Sequence, residues 1–483
     1  MFNNFQEFLH MLPLVILGCG ILISLILEMY FKRSEKILSW VTILIFLIAA
    51  FYSLATVDSV SVVMQNMLAT GGNVNVFYFI FCSGAAIVSL LSIDYLKKYG
   101  TYYGEYYILL QSSVLGMMFM AGAKDLFMIF LGLELMSICF YALAGINRKR
   151  LSANEASLKY FLLGAFATGF IVYGIALIYG SVHTTSIETI ISKFSSLKED
   201  VLFITGILLF LIGFSFKIAA FPFHMWVPDV YQGASTTVAG LFSTAGKAAA
   251  FSAIIATLSA VFSNVQVHNL FEPYLAVIAV FSMLFGSIVA ISQNNIKRML
   301  AYSSIAHAGY MIIGLAAGNY DGIAGIIFYL SAYTFMNLGA FGIIALIEGE
   351  NETNLDINNY AGLSSKKPLL AALLSICMFS LAGIPPFAGF FGKYYVFISA
   401  IKAHLTWLAI VGVFSSVISL YFYLRIVVLM YFREYVPSGK DSAEEISFTK
   451  SNTGLIAVAI SVLLVIILGV VPGTLISLIS SFL

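Results

Sequence analysis

Long apolar segments follow one another along almost the whole chain, with short polar stretches between them. Only 10% of the residues are charged and 61% are hydrophobic, whereas soluble domains carry about 25% charged residues. A helix needs about 20 apolar residues to cross a bilayer, and in lipid every backbone polar group must find a partner within the protein. The sequence therefore predicts an all-α integral membrane protein with about fourteen transmembrane helices. Their predicted limits are 11–31, 37–56, 75–95, 106–122, 125–145, 155–180, 201–234, 235–262, 272–292, 299–318, 323–347, 369–402, 405–431 and 453–480.

The loops between these spans differ in positive charge. Loops that follow odd-numbered spans contain fifteen lysines and arginines, and the loops on the other side contain four. Cytoplasmic loops of membrane proteins carry the excess of positive charge. The odd-to-even loops are therefore predicted to be cytoplasmic, and both termini are predicted to be periplasmic.

The predicted span 201–234 carries ionisable residues beside helix-breaking prolines. Lys217 and His224 lie within it, and Pro222 and Pro228 each lack a backbone donor. A charge at the bilayer centre costs about 2.5–3.5 kcal/mol, and irregular backbone survives there only inside protein or beside a wet cavity. We interpret the segment as part of an ion or proton pathway; the alternative is a proline-kinked helix whose lysine reaches the interface. His224 fits either a structural or a functional role.

A second break of the same kind is predicted five spans later, where Pro385 and Pro386 precede Lys393. A weak repeat accompanies the two breaks. Glu134 in the fifth span and His307 in the tenth each follow a lysine at the start of the span by ten residues. Repeats of five spans must be inverted in the membrane, and transporters commonly build their sites between such repeats.

These features divide the chain into four predicted parts. Residues 1–100 supply three N-terminal transmembrane helices. Residues 101–270 form a first inverted repeat of spans four to eight, and residues 271–432 form a second of spans nine to thirteen. Residues 433–483 supply a cytoplasmic loop and the C-terminal span. Each five-helix repeat is expected to contain one discontinuous helix.

Three lysines, Lys217, Lys247 and Lys393, are predicted to lie deep in the membrane. Burial disfavours the charged form of a lysine and a nearby carboxylate restores it, so each is a candidate for loading and releasing a proton. We expect Glu134 to pair with Lys217, and separation of this pair to push the proton toward Lys247. His307 is the expected relay between the halves; its alternative role is a structural hydrogen bond between helices.

No metal or redox cofactor is indicated. The four cysteines lie singly within apolar runs, and no two of the six histidines have the spacing of a helical metal site. We therefore expect no metal and no redox centre in this chain. The net charge of +1 gives no reason to expect nucleic acid as a partner, and the lipid bilayer is the expected environment.

The charged residues of the spans lie in recognisable segments. These are LGLEL at 131–135, EASLKYF at 155–161, FPFHMWVPDVY at 221–231, GKAAAF at 246–251 and PFAGFFGK at 386–393. They resemble the N subunits of the proton-pumping NADH:quinone oxidoreductase, respiratory complex I, and the resemblance extends over essentially all the spans. Related M subunits typically carry Glu in place of Lys393, and L subunits have a long C-terminal extension that this chain lacks. The chain departs from the family pattern at Gln232, Ser235 and Thr237, where Glu, Pro and Pro are expected.

The resemblance implies a membrane-arm subunit of a proton-translocating oxidoreductase. Such a subunit moves protons from cytoplasm to periplasm, coupled to quinone reduction in other subunits. Glu134, Lys217, Lys247 and Lys393 match key charged positions of the family, and Lys159 matches a further lysine. The resemblance places NADH, FMN, Fe–S clusters and quinone in partner subunits, with subunits M, K and L and the remaining arm as partners. It also implies the bacterial cytoplasmic (inner) membrane as location.

Two alternatives remain open at this point. A stand-alone or Mrp-type cation/proton antiporter would have the same broad fold, although that class tends to carry Glu at the second break. A structural membrane anchor of a hydrogenase or dehydrogenase would have no transport role. The three deep lysines argue against an anchor, because an anchor has no reason to bear several buried charges.

Overall fold

Helices account for most of the structure. The computed structural model describes residues 5–31, 33–193, 197, 199–262, 265–349, 354–434 and 451–483. The main helices are α1 (Leu12–Tyr30), α2 (Glu35–Ala55), α3 (Gly72–Lys98), α4 (Gly104–Gly122), α5 (Leu126–Ala144), α6 (Leu151–Val182), α7 (Val201–Lys217), α8 (Trp226–Gly233), α9 (Thr236–Leu241), α10 (Lys247–Phe262), α11 (Val265–Ile291), α12 (Ile296–Ala317), α13 (Tyr320–Ile347), α14 (Pro368–Ala382), α15 (Ala388–Lys402), α16 (Thr406–Phe432), α17 (Asn452–Val470) and α18 (Pro472–Ser480). Shorter segments are the helices Phe5–His10, Ile187–Ser192 and Leu363–Lys366 and the 3₁₀ turn Ile357–Tyr360.

The predicted helical membrane fold is confirmed. Eleven helices among the described residues are long and apolar enough to cross a bilayer. The other three predicted spans are α4, with 19 residues, and the two interrupted helices α7–α8 and α14–α15. Helix α11 begins at Val265, before the predicted start of its span at 272, so the predicted boundary after residue 270 lies inside this helix. The division into inverted repeats stays a prediction.

The first interruption separates α7, which ends at Lys217, from α8, which begins at Trp226. Ala219 takes a left-handed conformation with φ 64°, which α-helical backbone cannot continue. Pro222 lies within the interruption. Pro228, which the sequence assigned to the break, instead lies in the first turn of α8, where a missing N–H removes no helical hydrogen bond.

Side chains satisfy the backbone groups that this interruption leaves free. The indole Nε1 of Trp226 donates to the carbonyl oxygen of Phe216 at 3.1 Å. The backbone N–H of Phe221 donates to Ser282 Oγ at 2.9 Å. Irregular backbone at membrane depth persists only when it is bonded inside protein, and these contacts supply the bonds.

The second interruption separates α14 from α15. Helix α14 ends at Ala382, and Gly383 follows with φ 86°, a left-handed conformation that glycine adopts without a steric penalty. Pro385 and Pro386 complete the connection to α15. The Nζ atom of Lys393 donates to the carbonyl oxygen of Ala382 at 2.8 Å, so this lysine binds directly to the broken helix end.

Two segments differ from the sequence-based prediction. Between α2 and α3 lies an antiparallel hairpin of β1 (Ser61–Val63) and β2 (Leu68–Thr70), which the all-α prediction missed. Its turn contains three successive left-handed residues, 64–66, and its strands are too short for a hydropathy pattern. The last predicted span, 453–480, is two helices, because α17 ends at Val470 and Pro472 begins α18.

Helices α12 and α13 form the centre of the bundle. The apolar window of α13 is 100% buried and that of α12 is 94% buried, whereas those of α1 and α6 are each 28% buried. Helix α13 packs against α3, α9, α12, α14, α15 and α17. Polar side chains on α12 and α13 are therefore held in the interior of the chain, away from lipid.

Candidate functional site

Three lysines of the membrane helices are almost completely buried. Their exposed fractions are 6% for Lys217, 1% for Lys247 and 5% for Lys393. Within the described ranges, each donates hydrogen bonds to hydroxyl or carbonyl oxygens, and none forms an ion pair with a carboxylate. A buried ammonium group without a counter-charge is costly, which favours reversible protonation over a permanent charge.

Lys217 is the last residue of α7 and points at helix α5. Its Nζ donates to Ser137 Oγ at 2.9 Å and to Tyr141 OH at 3.3 Å. Glu134 lies on the same face of α5, three residues before Ser137, and accepts a hydrogen bond from Thr168 Oγ1 at 2.8 Å. The predicted pair of Glu134 and Lys217 thus interacts electrostatically without forming a direct ion pair.

Lys247 follows a local irregularity that the sequence did not reveal. Residues Phe242–Gly246 form a single π-helical turn immediately before it, and such turns are frequent at functional sites. The Nζ of Lys247 donates to Ser304 Oγ at 2.9 Å and also to the Ser304 carbonyl oxygen. Lys247 is thereby tied to α12, the central helix that carries His307.

His307 lies between two tyrosine hydroxyls in the core. Its Nδ1 is 2.7 Å from Tyr329 OH and its Nε2 is 2.9 Å from Tyr423 OH. The Tyr423 hydroxyl is also hydrogen-bonded to Ser303 Oγ. His307 is one helical turn from Ser304, the partner of Lys247, so the structure brings the histidine and this lysine into one polar cluster.

Lys393 lies on the other side of His307. Its Nζ donates to Ser416 Oγ at 2.8 Å, in addition to the Ala382 carbonyl described above, and lies 5.0 Å from the centre of the Tyr310 ring. The rings of Tyr310 and His307 are 5.8 Å apart. Lys247, His307 and Lys393 therefore form a continuous central cluster.

An aromatic layer separates Lys217 from this central cluster. The ring of Phe140 lies 4.5 Å from that of Phe242, and the ring of Tyr160 lies 5.5 Å from Phe242 and 4.4 Å from Trp226. Phe242 belongs to the π turn that precedes Lys247. Among the described side chains, no hydrogen bond crosses this layer. The structure thus gathers the predicted residues into two groups rather than one chain.

Lys159 belongs to neither group. It is 41% exposed and forms ion pairs with Glu155 Oε1 at 2.6 Å and Asp229 Oδ2 at 2.8 Å. Arg298 binds the other oxygen of Asp229 at 2.7 Å and Gln232 Oε1 at 3.2 Å. This network connects α6, α8 and α12, and it contains Gln232, one of the positions that depart from the family pattern.

His224 is buried but is not joined to the lysines. Its ring is 5.5 Å from Phe221 and 4.6 Å from Phe285. The Nδ1 atom has no hydrogen-bond partner among the described residues. The geometry brings His224 into an aromatic pocket at the first interruption, outside both polar groups.

Two charged residues at the ends of predicted spans are fully buried and were not predicted as site residues. Lys297, the second residue of α12, is 0% exposed and donates to the Ala234 carbonyl at 2.7 Å. Glu348, at the C-terminal end of α13, is also 0% exposed. Both had been read as loop residues, because hydropathy alone does not show which span ends are covered by other helices. No cluster of three or more potential metal ligands occurs within the part of the chain that the structure describes.

Sequence comparison finds similarity along nearly the whole chain. Residues 123–419 match the family described as NADH:quinone oxidoreductase/Mrp antiporter, transmembrane. The NADH-quinone oxidoreductase subunit N 1 of Chloroherpeton thalassium is 42% identical over 98% of this chain and 97% of that protein. The corresponding subunit N of Trichlorobacter lovleyi is 44% identical over 87% of both chains.

Structural comparison agrees with this. A chain of respiratory complex I from Thermus thermophilus has a TM-score of 0.82 and 30% identity, over 97% of this chain and 99% of that one. A chain of the Mrp complex from Dietzia sp. DQ12-45-1b has a TM-score of 0.86 at 21% identity, over 99% of this chain and 97% of that one. The second likeness shows the fold alone.

Proposed function

This chain belongs to the family of antiporter-like membrane subunits shared by NADH:quinone oxidoreductase and Mrp antiporters, and from that premise we propose how its buried residues move protons. Proton translocation is the general function of these subunits. The relatives that match over nearly full length are N subunits of NADH-quinone oxidoreductase. The proposed direction of transport is from cytoplasm to periplasm, coupled to quinone reduction in other subunits.

The observation that supports the proposal is the set of three buried lysines whose hydrogen-bond partners are neutral. In an interior of low dielectric, an unpaired ammonium group is disfavoured relative to the neutral amine. A lysine in such a place accepts a proton when a donor is near and gives it up when the field changes. This behaviour suits a transfer site and does not suit a structural ion pair.

In the proposed sequence of transfers, Lys217 receives a proton first, and the charge of Glu134 supports the protonated state. The proton then passes across the aromatic layer to Lys247. His307, with a donor and an acceptor nitrogen bound to two hydroxyls, relays it to Lys393. Lys393 releases it toward the periplasm beside the second helix interruption.

The redox chemistry is proposed to lie outside this chain. NADH, FMN, Fe–S clusters and quinone would be bound by partner subunits, and the expected neighbours are the M, K and L subunits and the remaining membrane arm. The proposed location is the bacterial cytoplasmic membrane with both termini periplasmic, supported by the fifteen-to-four charge difference between the loops. Lys159 is proposed to support the pathway indirectly, through its ion pair with Asp229.

The test is proton uptake by the purified complex in proteoliposomes, measured together with NADH oxidation. Lys247→Met and Lys393→Met are expected to slow proton transfer through this chain by roughly ten-fold or more, because each removes a positioned acid–base group. The matched control is Lys402→Met, since Lys402 is 58% exposed and pairs only with Asp321 in the described chain. Wild-type uptake in both buried-lysine variants would refute the proposal.

An Mrp-type antiporter is the second candidate, and it is supported by fold alone. In that case proton movement by the reconstituted subunit would depend on a gradient of Na⁺ or another cation. For the proposed function, proton uptake instead depends on NADH and quinone and persists when such cations are absent. The same proteoliposomes distinguish the two.

A further inference from the structure

We propose that Glu348 is a further proton-carrying residue, which takes up protons on the cytoplasmic side and passes them to Lys247 along a polar path between α8, α9 and α13. The proposal rests on the proposed function, because it assigns an uptake site to the same pathway. It would give the central cluster its own supply of protons, independent of Lys217.

Glu348 is unusual because it is fully buried at the end of a helix. It follows Ile347 at the C-terminus of α13 and is 0% exposed. Its Oε2 accepts hydrogen bonds from Thr236 Oγ1 at 2.5 Å and from Tyr95 OH at 3.1 Å. Its Oε1 has no hydrogen-bond partner in the described residues. A buried carboxylate oxygen without a partner is costly, so a purely structural anchor would not require this residue type.

The charges around Glu348 come from several elements. Lys98 Nζ donates to the backbone carbonyl of Glu348 at 2.5 Å, and the buried Lys297 is close enough to interact electrostatically with its carboxylate. Burial opposes the charge of the carboxylate and the two lysines support it. The titratable and charged groups that face this cluster are Tyr95, Lys98 and Tyr99 of α3, Lys297 of α12, Tyr360 of the 3₁₀ turn and, beyond Lys297, Arg150.

One face of α13 leads from Glu348 toward Lys247. Asn337 lies eleven residues earlier, which is about three helical turns or about 16 Å along the same face. Its Nδ2 donates to Ser243 Oγ at 2.7 Å and to Tyr333 OH at 3.2 Å. The ring of Tyr333 lies 6.0 Å from Lys247 Nζ. The lower part of the path is therefore already connected to the lysine.

The upper part of the path is lined by polar atoms that lack protein partners. Thr237 Oγ1, Tyr231 OH and Asn337 Oδ1 are buried and, among the described residues, have no hydrogen-bond partner. Thr237 follows the threonine that binds Glu348. Tyr231 packs its ring 6.4 Å from Phe341, which lies on α13 between Asn337 and Glu348. Buried polar atoms of this kind usually bond to ordered water, which would complete the connection.

The transfer balances as follows. The carboxylate of Glu348 takes a proton from a hydronium ion of the cytoplasmic solution, which becomes water, and forms a neutral carboxyl group. The carboxyl O–H then donates its proton to the adjoining hydroxyl or water. Each hydroxyl along the path accepts one proton and releases another, and the neutral amine of Lys247 receives the last one as an ammonium group. Glu348 returns to the carboxylate, and one proton has left the cytoplasm.

The experiment compares Glu348→Gln with Glu348→Asp in the complete complex in proteoliposomes. Glutamine keeps the oxygen that binds Thr236 and Tyr95 but cannot carry the proton, whereas aspartate keeps the acid. Glu348→Gln is expected to lose as much proton uptake per NADH as Lys247→Met, with no further loss in the double variant. Glu348→Asp is expected to recover part of it.

A spectroscopic measurement excludes a merely structural effect. Infrared difference spectra of the wild-type complex, recorded on reduction, are expected to show a protonated-carboxyl C=O band that shifts in D₂O and is missing in Glu348→Gln. The matched control is Asp321→Asn, because Asp321 is 53% exposed and is remote from this path. It is expected to keep both the band and the proton uptake.

The possible outcomes separate this inference from the proposed function. Wild-type proton uptake in Glu348→Gln together with impaired uptake in Lys247→Met would overturn the inference and leave the proposed function intact. Wild-type uptake in both would contradict the proposed function as well. Equal loss of thermal stability and uptake in Glu348→Gln and Glu348→Asp, without the infrared band in the wild type, would make Glu348 a structural residue and overturn the inference.

Discussion

The relay role of His307 can be tested by removing one hydroxyl group. Tyr329→Phe deletes the partner of His307 Nδ1, which is 2.7 Å away, and leaves the Tyr423 contact to Nε2 in place. His307 is 1% exposed and Tyr329 is 0% exposed, so bulk water does not reach the vacated position. The phenyl ring retains the packing of the tyrosine.

The expected magnitude follows from this burial. A buried polar group that loses its partner costs about 1–3 kcal/mol. If a proton passes through His307, that cost acts on the transfer barrier, where each 1.36 kcal/mol changes a rate by about ten-fold. Tyr329→Phe is therefore expected to slow proton transfer through this chain by roughly 5- to 150-fold.

The assay measures proton uptake in proteoliposomes and thermal unfolding of the same preparation. Tyr394→Phe is the matched control, because Tyr394 is on α15 and is 46% exposed. A variant Tyr329→Phe that unfolds at a lower temperature and still takes up protons at the wild-type rate would mean that His307 only connects helices. The relay interpretation would then be wrong.

The remaining predictions concern the first half of the chain and its orientation. A direct Glu134–Lys217 pair would show a coupling of about 3–5 kcal/mol; since each residue has other partners, a double-mutant cycle of Glu134→Gln and Lys217→Met on assembly is expected to give about 1 kcal/mol or less. Both single variants are still expected to reduce proton uptake, and a full-sized coupling would restore the ion pair. For orientation, Leu483→Cys is expected to react with an impermeant thiol reagent in intact spheroplasts and Lys149→Cys only after the membrane is opened; the reverse pattern would invert the predicted topology.

The membrane class and the deep lysines could be predicted because both depend on local sequence. A charged residue within a long apolar run, such as Lys217, Lys247 or Lys393, is conspicuous wherever the neighbouring helices lie. Proline and glycine at the interruptions act through their own backbone geometry. These features need no knowledge of tertiary packing, and the structure places all three lysines in the interior.

Burial at the ends of spans could not be predicted in the same way. Lys297 and Glu348 border polar loops, and their sequence environment is that of surface residues. They are buried because residues distant in the sequence cover them, as the contacts with Ala234, Thr236 and Tyr95 show. Hydropathy reports depth along one helix and is silent on lateral packing.

Side-chain partners were equally hard to predict. The opposite charges of Glu134 and Lys217 suggested an ion pair, but helix α5 presents Ser137 and Tyr141 to the lysine instead. Which hydroxyl lies nearer depends on the rotation of α5 relative to α7. The π turn before Lys247 depends in the same way on packing, because its residues, Phe242–Gly246, carry no local signal for it.

The aromatic layer between Lys217 and Lys247 has a mechanistic consequence. Rings offer no chain of exchangeable protons, so a proton cannot cross directly from Tyr141 to the π turn while Phe140, Tyr160 and Phe242 are in contact. Crossing requires either water between the rings or displacement of one ring. The two backbone irregularities that border the layer, the interruption after α7 and the π turn, are the places where helical hydrogen bonds are already missing or rearranged, so a small movement costs least there. Lys217 and the central cluster can therefore hold protons independently until such a movement connects them, which is the separation that a pump needs to prevent leakage.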